Sequence, residues 1–416
     1  VPDSSAAWRY GCWSISRLKG VRIIAEHPVY DVIIVGAGSM GMSAGYHLAR
    51  RGVRTLLIDA FDPPHTEGSH HGETRLIRHA YSGDPAYIDL ALRAQVLWEE
   101  AEAESGTELL VPSGVLNLAD SGVYSFAGRL VEAQKRKVRA EQLDADEIRH
   151  RWPALNLPES FEAMYEPDAG YLYSERCITA YRQLALAHGA ELLTNTPVLN
   201  VTAREGSVTV HTKNGEYHGA AAVLSAGAWF KSLSPFVSLP IKAVRKVVGW
   251  FGSTPDFEAG KFPGFTLGGE EGGFYGFPSI GGAGLKIGRH DTGEEWRPGE
   301  PLAPFGSLES DEGDLRRVLE AYMPGAAGKL LKGSVCKYEH TPDEDFIIDR
   351  HPEYSNVLLA GGFSGHGFKF SSVVGEILAD LAVQGNTRQN IAPFALSRFN
   401  TGPDQPQPKP ILEEIE

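Results

Sequence analysis

The chain has 416 residues, 42% hydrophobic and 22% charged, which suits a globular protein of two or three domains. Its formal net charge of -14 argues against a nucleic-acid or anionic-membrane partner, while leaving room for a local basic pocket that takes an acidic substrate. Three cysteines, Cys12, Cys177 and Cys336, form no disulfide framework and match no zinc spacing, as in a reducing cytoplasmic setting, and no apolar run approaches a membrane span.

Residues 1–29 carry Trp8, Trp13 and scattered Arg and Lys, without a continuous apolar core or a small-residue cleavage site. They read as an extension and make a poor signal peptide. Val32–Val35 is a short β-branched run, suited to a strand buried on both faces. Met40–Arg51 has helical periodicity, closed by Gly52. Thr55–Ile58 is a second buried strand ending at Asp59, which completes a βαβ unit. Residues 61–69 read as a loop and Tyr87–Ala103 as a long amphipathic helix.

Further on, Cys177–His188 reads as a helix, and Ala221–Trp229 as a buried strand ending on small residues. From about Ile241 to Ile287, short alternating segments separated by Gly and Pro turns read as an antiparallel sheet. Asn356–Ala360 is another parallel-type strand. Its glycine-rich continuation, Gly361–Gly367, leads into a helix that runs to about Val383. The predicted class is α/β (α+β overall). A discontinuous nucleotide domain (30–112, 170–238 and 328–400) is interrupted by an antiparallel substrate domain (113–169 and 239–327). Residues 401–416 read as a tail.

Gly36-x-Gly38-x-x-Gly41 follows a strand and opens a helix. Its glycines permit a tight turn and close approach of a pyrophosphate to backbone N–H groups. Asp59 stands where a carboxylate can bind ribose hydroxyls. A tight turn without a ligand is the alternative, and the strand, helix, second strand and acid together disfavour it. The motif does not distinguish NAD from FAD.

Gly68–Tyr81 packs His70, His71, Arg75, Arg78 and His79 together. A solvated basic face, a metal site and a cationic wall against an anionic ligand are the three readings, and metal-ligand spacing is lacking. Lys286 alternates with Leu285 and Ile287, so its side chain points opposite to theirs. A solvent-facing lysine is the ordinary reading of that pattern. Lys369 follows a predicted helix entrance and reads equally as a surface residue. Cys336 by itself reads as a small buried hydrophobe.

Gly36–Gly41, Asp62–Tyr81, Tyr275-Gly-Phe-Pro-Ser279, Gly284–His290, Cys336-x-Tyr338, Thr341–Phe346 and Gly362–Ser372 occur together and in order. From Tyr30 to about Phe399 the chain resembles the family of monomeric sarcosine oxidases and N-methyltryptophan oxidases, the sarcosine oxidases above all. The resemblance implies a Rossmann-type FAD-binding domain and a flavin attached covalently to Cys336. It implies cations Arg75 and Lys286 beside the flavin ring, the lysine serving oxygen activation, with His71 and Thr74 near it. Arg78 and Lys369 match the pair that holds the substrate carboxylate. Tyr275, Tyr338 and His290 match pocket-lining residues. Val198, Gly365, Gly367 and Lys369 join Gly36, Gly38, Gly41 and Asp59 among the cofactor positions, and no metal is implied.

The implied reaction converts sarcosine, O2 and water to glycine, formaldehyde and H2O2, in a monomer. Trp250 lies in a pocket-forming strand region and bears on the size of the side chain accepted. N-methyltryptophan, pipecolate and glycine are alternative substrates. An NAD(P)-dependent dehydrogenase and a non-catalytic flavoprotein are the rivals from other classes.

Overall fold

The computed structural model describes residues 30–81 and 83–400. The expected extension, the expected tail and Cys12 lie outside the described residues. Strand β1 (Tyr30–Val35), helix α1 (Ser39–Arg50) and strand β2 (Thr55–Ile58) form the predicted βαβ unit, with β1 and β2 parallel. The unbroken apolar run of β1 has a direct cause. Val32 and Ile34 face one core cluster, with α1 and the helix Ser371–Gln384, while Ile33 and Val35 face another on the far side of the sheet.

This sheet has eight strands. The strand Gly215–Leu224 lies beside β1 in parallel and changes its other partner along its length. Its first half pairs antiparallel with Ser207–Thr212, and its second half pairs parallel with Val357–Gly361. The buried strand predicted at Ala221–Trp229 therefore starts earlier and stops at Leu224. Ser225 turns out of the sheet, its Oγ donating to Gly36 O at 2.8 Å, and Gly227–Leu233 winds into a 3-10 helix. Helix α1 packs closely on its surroundings. A Cβ on Gly45 would lie 2.6 Å from Leu57 Cδ2, and one on Gly375 would overlap Ser43.

A three-stranded sheet joins β3 (Thr74–Ile77) to Gly170–Tyr173 and then to Leu110–Val111. Helix α2 (Ala86–Ser105) buries Tyr87, Leu90 and Trp98 in the same core as α1. The helices Ala127–Lys135, Ala145–Arg151 and Ser310–Tyr322 are additions to the sequence reading.

The sheet predicted as antiparallel has nine strands and is mixed, since Gly264–Gly269 pairs parallel with Val115–Asp120 while its other pairs are antiparallel. Lys242–Phe251 lies near one end of it, paired with Leu285–Arg289 and Leu330–His340. Alternation divides its two faces. Leu116, Leu118, Phe265, Leu267, Phe274, Leu285 and Ile287 point to a core capped by Leu315, Val318 and Leu319 of Ser310–Tyr322. Asn117, Thr266, Tyr275 and Lys286 occupy alternate positions on the opposite face. Cross-strand register aligns Asn117 with Thr266 and Thr266 with Tyr275, and separately Phe277 with Lys286 and Lys286 with Trp250. The functional side chains gather on this second face.

Candidate active site

The glycine turn between β1 and α1 opens into a cavity of about 350 Å3. Gly36, Gly38, Asp59, Val198, Ser225, Trp229 and Glu339 are among the residues that line it. Gly36 has φ +92°, and a Cβ there would lie 2.5 Å from Ser225 O. A Cβ on Gly41 would overlap Gly36 O, so Gly41 serves the turn rather than the cavity wall. Gly38 caps α1 without a side-chain hydrogen bond, so the first N–H groups of the helix meet no capping side chain of its own. Asp59 Oδ2 accepts from Ala37 N at 2.7 Å and Oδ1 from Phe61 N at 2.9 Å. Each oxygen keeps a further lone pair for a ribose hydroxyl.

A second, smaller cavity of about 50 Å3 lies over the polar face of the nine-stranded sheet. Arg75, Arg78, Tyr275, His290, Tyr338 and Lys369 are on its wall. Arg78, the residue after strand β3, donates through Nη1 to Asn117 Oδ1 at 3.0 Å. Lys369 sits in the 3-10 turn after Gly367, Phe368–Phe370, and donates to His366 O at 2.8 Å. The two cations share one aromatic neighbour: Arg78 Cζ lies 5.9 Å and Lys369 Nζ 5.3 Å from the Tyr81 ring centroid. Tyr338 donates to the Tyr275 hydroxyl at 3.2 Å. Gly288 makes room for this pair, since a Cβ there would lie 2.8 Å from the Tyr275 hydroxyl. Burial pushes the Tyr275 phenol up to about 12. Burial, then the nearby Lys246, holds His290 well below the ordinary histidine value, and its Nε2 has no hydrogen-bond partner.

Lys286 is 2% exposed. Its Nζ donates to Gly72 O at 2.5 Å, Thr74 O at 3.0 Å and Thr74 Oγ1 at 3.2 Å. Burial and then Arg75 push its pKa down, while Glu175 and Glu73 oppose them. Three acceptors for three N–H groups is the set an ammonium requires. Arg75 is half-buried and fixed by the carbonyls of Thr74, Ser69 and His71 at 2.7, 2.7 and 2.6 Å. Cys336 is buried, opposite Lys246 across the sheet. Burial raises its thiol pKa, and Arg75, Lys286, Lys246 and Lys337 all pull it back.

These geometries describe a dinucleotide cavity beside a cationic pocket of small volume. A family model described as "FAD dependent oxidoreductase" matches residues 31–381. The chain belongs to that family.

Two groups of curated relatives add detail. The chain is 50% identical over 374 residues to a monomeric sarcosine oxidase from Bacillus sp. (strain NS-129), covering 89% of this chain and 97% of that one. It is 42% identical over 375 residues to an N-methyl-L-tryptophan oxidase from Salmonella arizonae, covering 89% of this chain and 99% of that one. Among solved structures, NikD, an amino acid oxidase of nikkomycin biosynthesis, aligns with a TM-score of 0.77 at 25% identity, covering 88% of this chain and 97% of that chain. The expected family and enzyme class, a flavin-dependent amine oxidase, agree with these matches, and so does the expected α/β fold.

For an FAD dependent oxidoreductase the large cavity fits its cofactor. It offers a glycine turn with no room for a Cβ at Gly36, a helix N-terminus without a capping side chain and the Asp59 carboxylate on its wall. Of the predicted residues, Gly36, Gly38, Asp59 and Val198 line this cavity, and Arg75, Arg78, Tyr275, His290, Tyr338, Gly365 and Lys369 line the small one. Lys286, Cys336, His71, Thr74 and Gly367 are not among the lining residues of either.

Two plain readings are corrected. Lys286, Lys369, His70, His71, Arg78 and His79 are buried, so neither the lysines nor the segment is a solvated face. Trp250 does not line the small cavity; its Nε1 donates to Glu73 Oε2 at 3.1 Å, and its ring lies under Lys332 and Lys286. Among the described residues no group of His, Cys, Asp or Glu could hold a metal ion, and no helix is long and apolar enough to cross a membrane.

Four residues of this oxidoreductase escaped the sequence reading. Glu175 accepts from Gly72 N at 2.7 Å and Glu73 N at 3.1 Å, which fixes the turn that carries Arg75. Asn117 orients Arg78. Lys246 donates to the carbonyls of His290 and Thr292 and lies 5.0 Å from the Tyr338 ring centroid. Glu339 lines the dinucleotide cavity. A polar residue at an inward position of an otherwise apolar strand was the available signal for Asn117, and the others had none.

Proposed function

We propose that this chain oxidises N-methyl amino acids, with sarcosine as substrate, to glycine, formaldehyde and H2O2 at the expense of O2 and water. The observation that carries this reading is the small cavity of about 50 Å3, walled by two buried cations and two phenols. Two cations suit one carboxylate, and the volume suits a short side chain rather than an indole. The relative at 50% identity acts, by its name, on sarcosine.

In this reading Arg78 and Lys369 hold the substrate carboxylate, with Asn117 fixing the guanidinium. Tyr275, Tyr338 and His290 enclose the N-methyl end. Bound FAD supplies two-electron oxidation of the C–N unit and delivers the electrons to O2. The chain supplies position and field. Arg78, Lys369 and Lys286 disfavour a further positive charge, so the substrate's ammonium loses its proton to give a free nitrogen lone pair. His290, kept neutral by burial, does not add to that charge. Lys286, fixed by three acceptors, stands as a preorganised charge for the oxygen step.

Cys336 is the proposed point of covalent attachment. Burial raises its thiol pKa, and the four surrounding cations oppose that rise in favour of the thiolate, the nucleophilic form. The proposed division into an FAD unit and a substrate unit keeps the boundaries given above, with the strand Leu330–His340 of the former paired into the sheet of the latter. The test is a panel of N-substituted amino acids read by H2O2 release. Sarcosine should show the highest kcat/KM, and a preference for N-methyltryptophan would overturn the substrate assignment.

A further inference from the structure

Glu339 is buried, 7% exposed, on the strand Leu330–His340. It lines the same cavity as Gly36, Gly38 and Asp59. Its Oε2 has no hydrogen-bond partner. The carboxyl points at the cavity wall formed by the turn after Leu224, since a Cβ on Gly227 would lie 3.8 Å from Oε2. A buried carboxyl oxygen left without a partner costs free energy unless a ligand supplies one.

The charges around it do not compensate. Lys337, two residues earlier on the same face, is engaged by Glu67 Oε2 at 2.9 Å. Lys231, on the 3-10 helix packed against this strand, is exposed and paired with Glu295 at 3.7 Å. The residue opposite on the neighbouring strand is Ala243. The Gly361–Phe363 segment brings no charged side chain. Asp59, His65 and His70 line the same cavity, with Asp59 and His65 3.3 Å apart.

Resting on the FAD assignment, we propose that Glu339 is a further FAD-contacting residue, which enters the complex as the neutral acid and donates a hydrogen bond from Oε2 to an oxygen of the bound dinucleotide. A protonated carboxyl is a donor, and an ionised one is an acceptor only. FAD presents phosphate, ribityl and ribose oxygens, and its diphosphate repels a second anion. The neutral form is therefore the complementary one. Burial favours it in the free protein too, pushing Glu339 up to about 7, against the pull of the Gly362 and Phe363 backbone N–H groups.

A consequence follows for cofactor capture. Binding that selects the neutral acid takes up a proton wherever the free carboxyl is ionised. Affinity for FAD then falls by up to about tenfold per pH unit above neutrality, the slope of one linked proton. Burial holds His70 at about 3 and His71 at about 4, so neither contributes in that range.

The experiment uses the full chain carrying Cys336→Ser, stripped of flavin and titrated with FAD by flavin fluorescence from mildly acidic to mildly alkaline pH. Titration calorimetry in two buffers of different ionisation enthalpy counts the protons taken up. The Glu339 form should bind progressively more weakly above neutrality, with uptake approaching one proton. Adding Glu339→Gln, neutral at every pH and still a donor, should abolish both the slope and the uptake. Binding by the Glu339 form that is flat with pH and takes up no proton overturns the proposal, and so does a slope that survives Glu339→Gln. Failure of the folded chain to bind FAD at any pH overturns instead the cofactor assignment on which the proposal rests.

Discussion

Tyr338 and Glu339 are neighbours on one strand, and they line different cavities. Successive side chains of a strand point to opposite faces. The Tyr338 hydroxyl meets Tyr275 over the small pocket, while the Glu339 carboxyl meets the cavity of the glycine turn. Cys336 shares the parity of Tyr338. A single strand thus separates the space assigned to the dinucleotide from the space assigned to substrate, and it carries the proposed covalent link.

Attachment is the most direct prediction. Cys336→Ser should yield a protein whose yellow colour stays in the supernatant after acid precipitation. Flavin that remains with the precipitated mutant protein would place the bond elsewhere.

Oxygen reactivity should depend on Lys286. Lys286→Met keeps the volume and removes the charge. Stopped-flow reoxidation should slow by about a hundred- to a thousandfold, the scale of losing one preorganised charge, while anaerobic reduction by substrate is less affected. An unchanged reoxidation rate would remove the assignment.

Substrate charge should be read by Arg78 and Lys369. Arg78→Ala or Lys369→Met should weaken sarcosine and simple carboxylate inhibitors by roughly ten- to a hundredfold, as for lost hydrogen bonds to a charged group. An uncharged secondary amine should be affected far less. Equal losses for acids and neutral amines would show that these cations act on the fold or the cofactor instead.

Turnover should rise with pH to a plateau when chemistry is rate-limiting. The reactive form is the free amine, and it accumulates as pH increases. Tyr275, pushed up to about 12 by burial, and His290, held far down by it, do not titrate across the mildly alkaline range. Tyr275→Phe should therefore leave the apparent pKa in place. Lys286, also pushed down by burial, is controlled by Lys286→Met, which should retain the rising limb. A flat wild-type profile would contradict the claim that the cationic pocket tunes the substrate's proton.

The glycine turn should tolerate no side chain at Gly41. A Cβ there would overlap Gly36 O within the turn itself. Gly41→Ala should lose FAD on purification and show a lowered Tm, whereas Gly52→Ala, with open space around its Cβ, should retain FAD. Full flavin content in Gly41→Ala would mean that the turn relaxes without cost to the cofactor.

The amino-acid order alone settles the β1–α1–β2 unit, its glycine turn and the acid at its end. These rest on local rules: the conformations glycine permits, a helical period of 3.6 residues, and an apolar run that demands burial on both faces. It also determined the direction of Lys286, opposite to Leu285 and Ile287, because alternation along a strand is local. Whether that direction led to water or to a site was decided elsewhere. Gly72 and Thr74, more than two hundred residues earlier, cover Lys286 and supply its acceptors. The same holds for Lys369, Arg78 and Glu339, whose types suggested solvent and whose surroundings bury them. Side-chain direction is set by the backbone on which a residue sits, whereas burial, hydrogen-bond partners and pKa are set by remote chain that packs against it, and only the tertiary structure brings that chain into place.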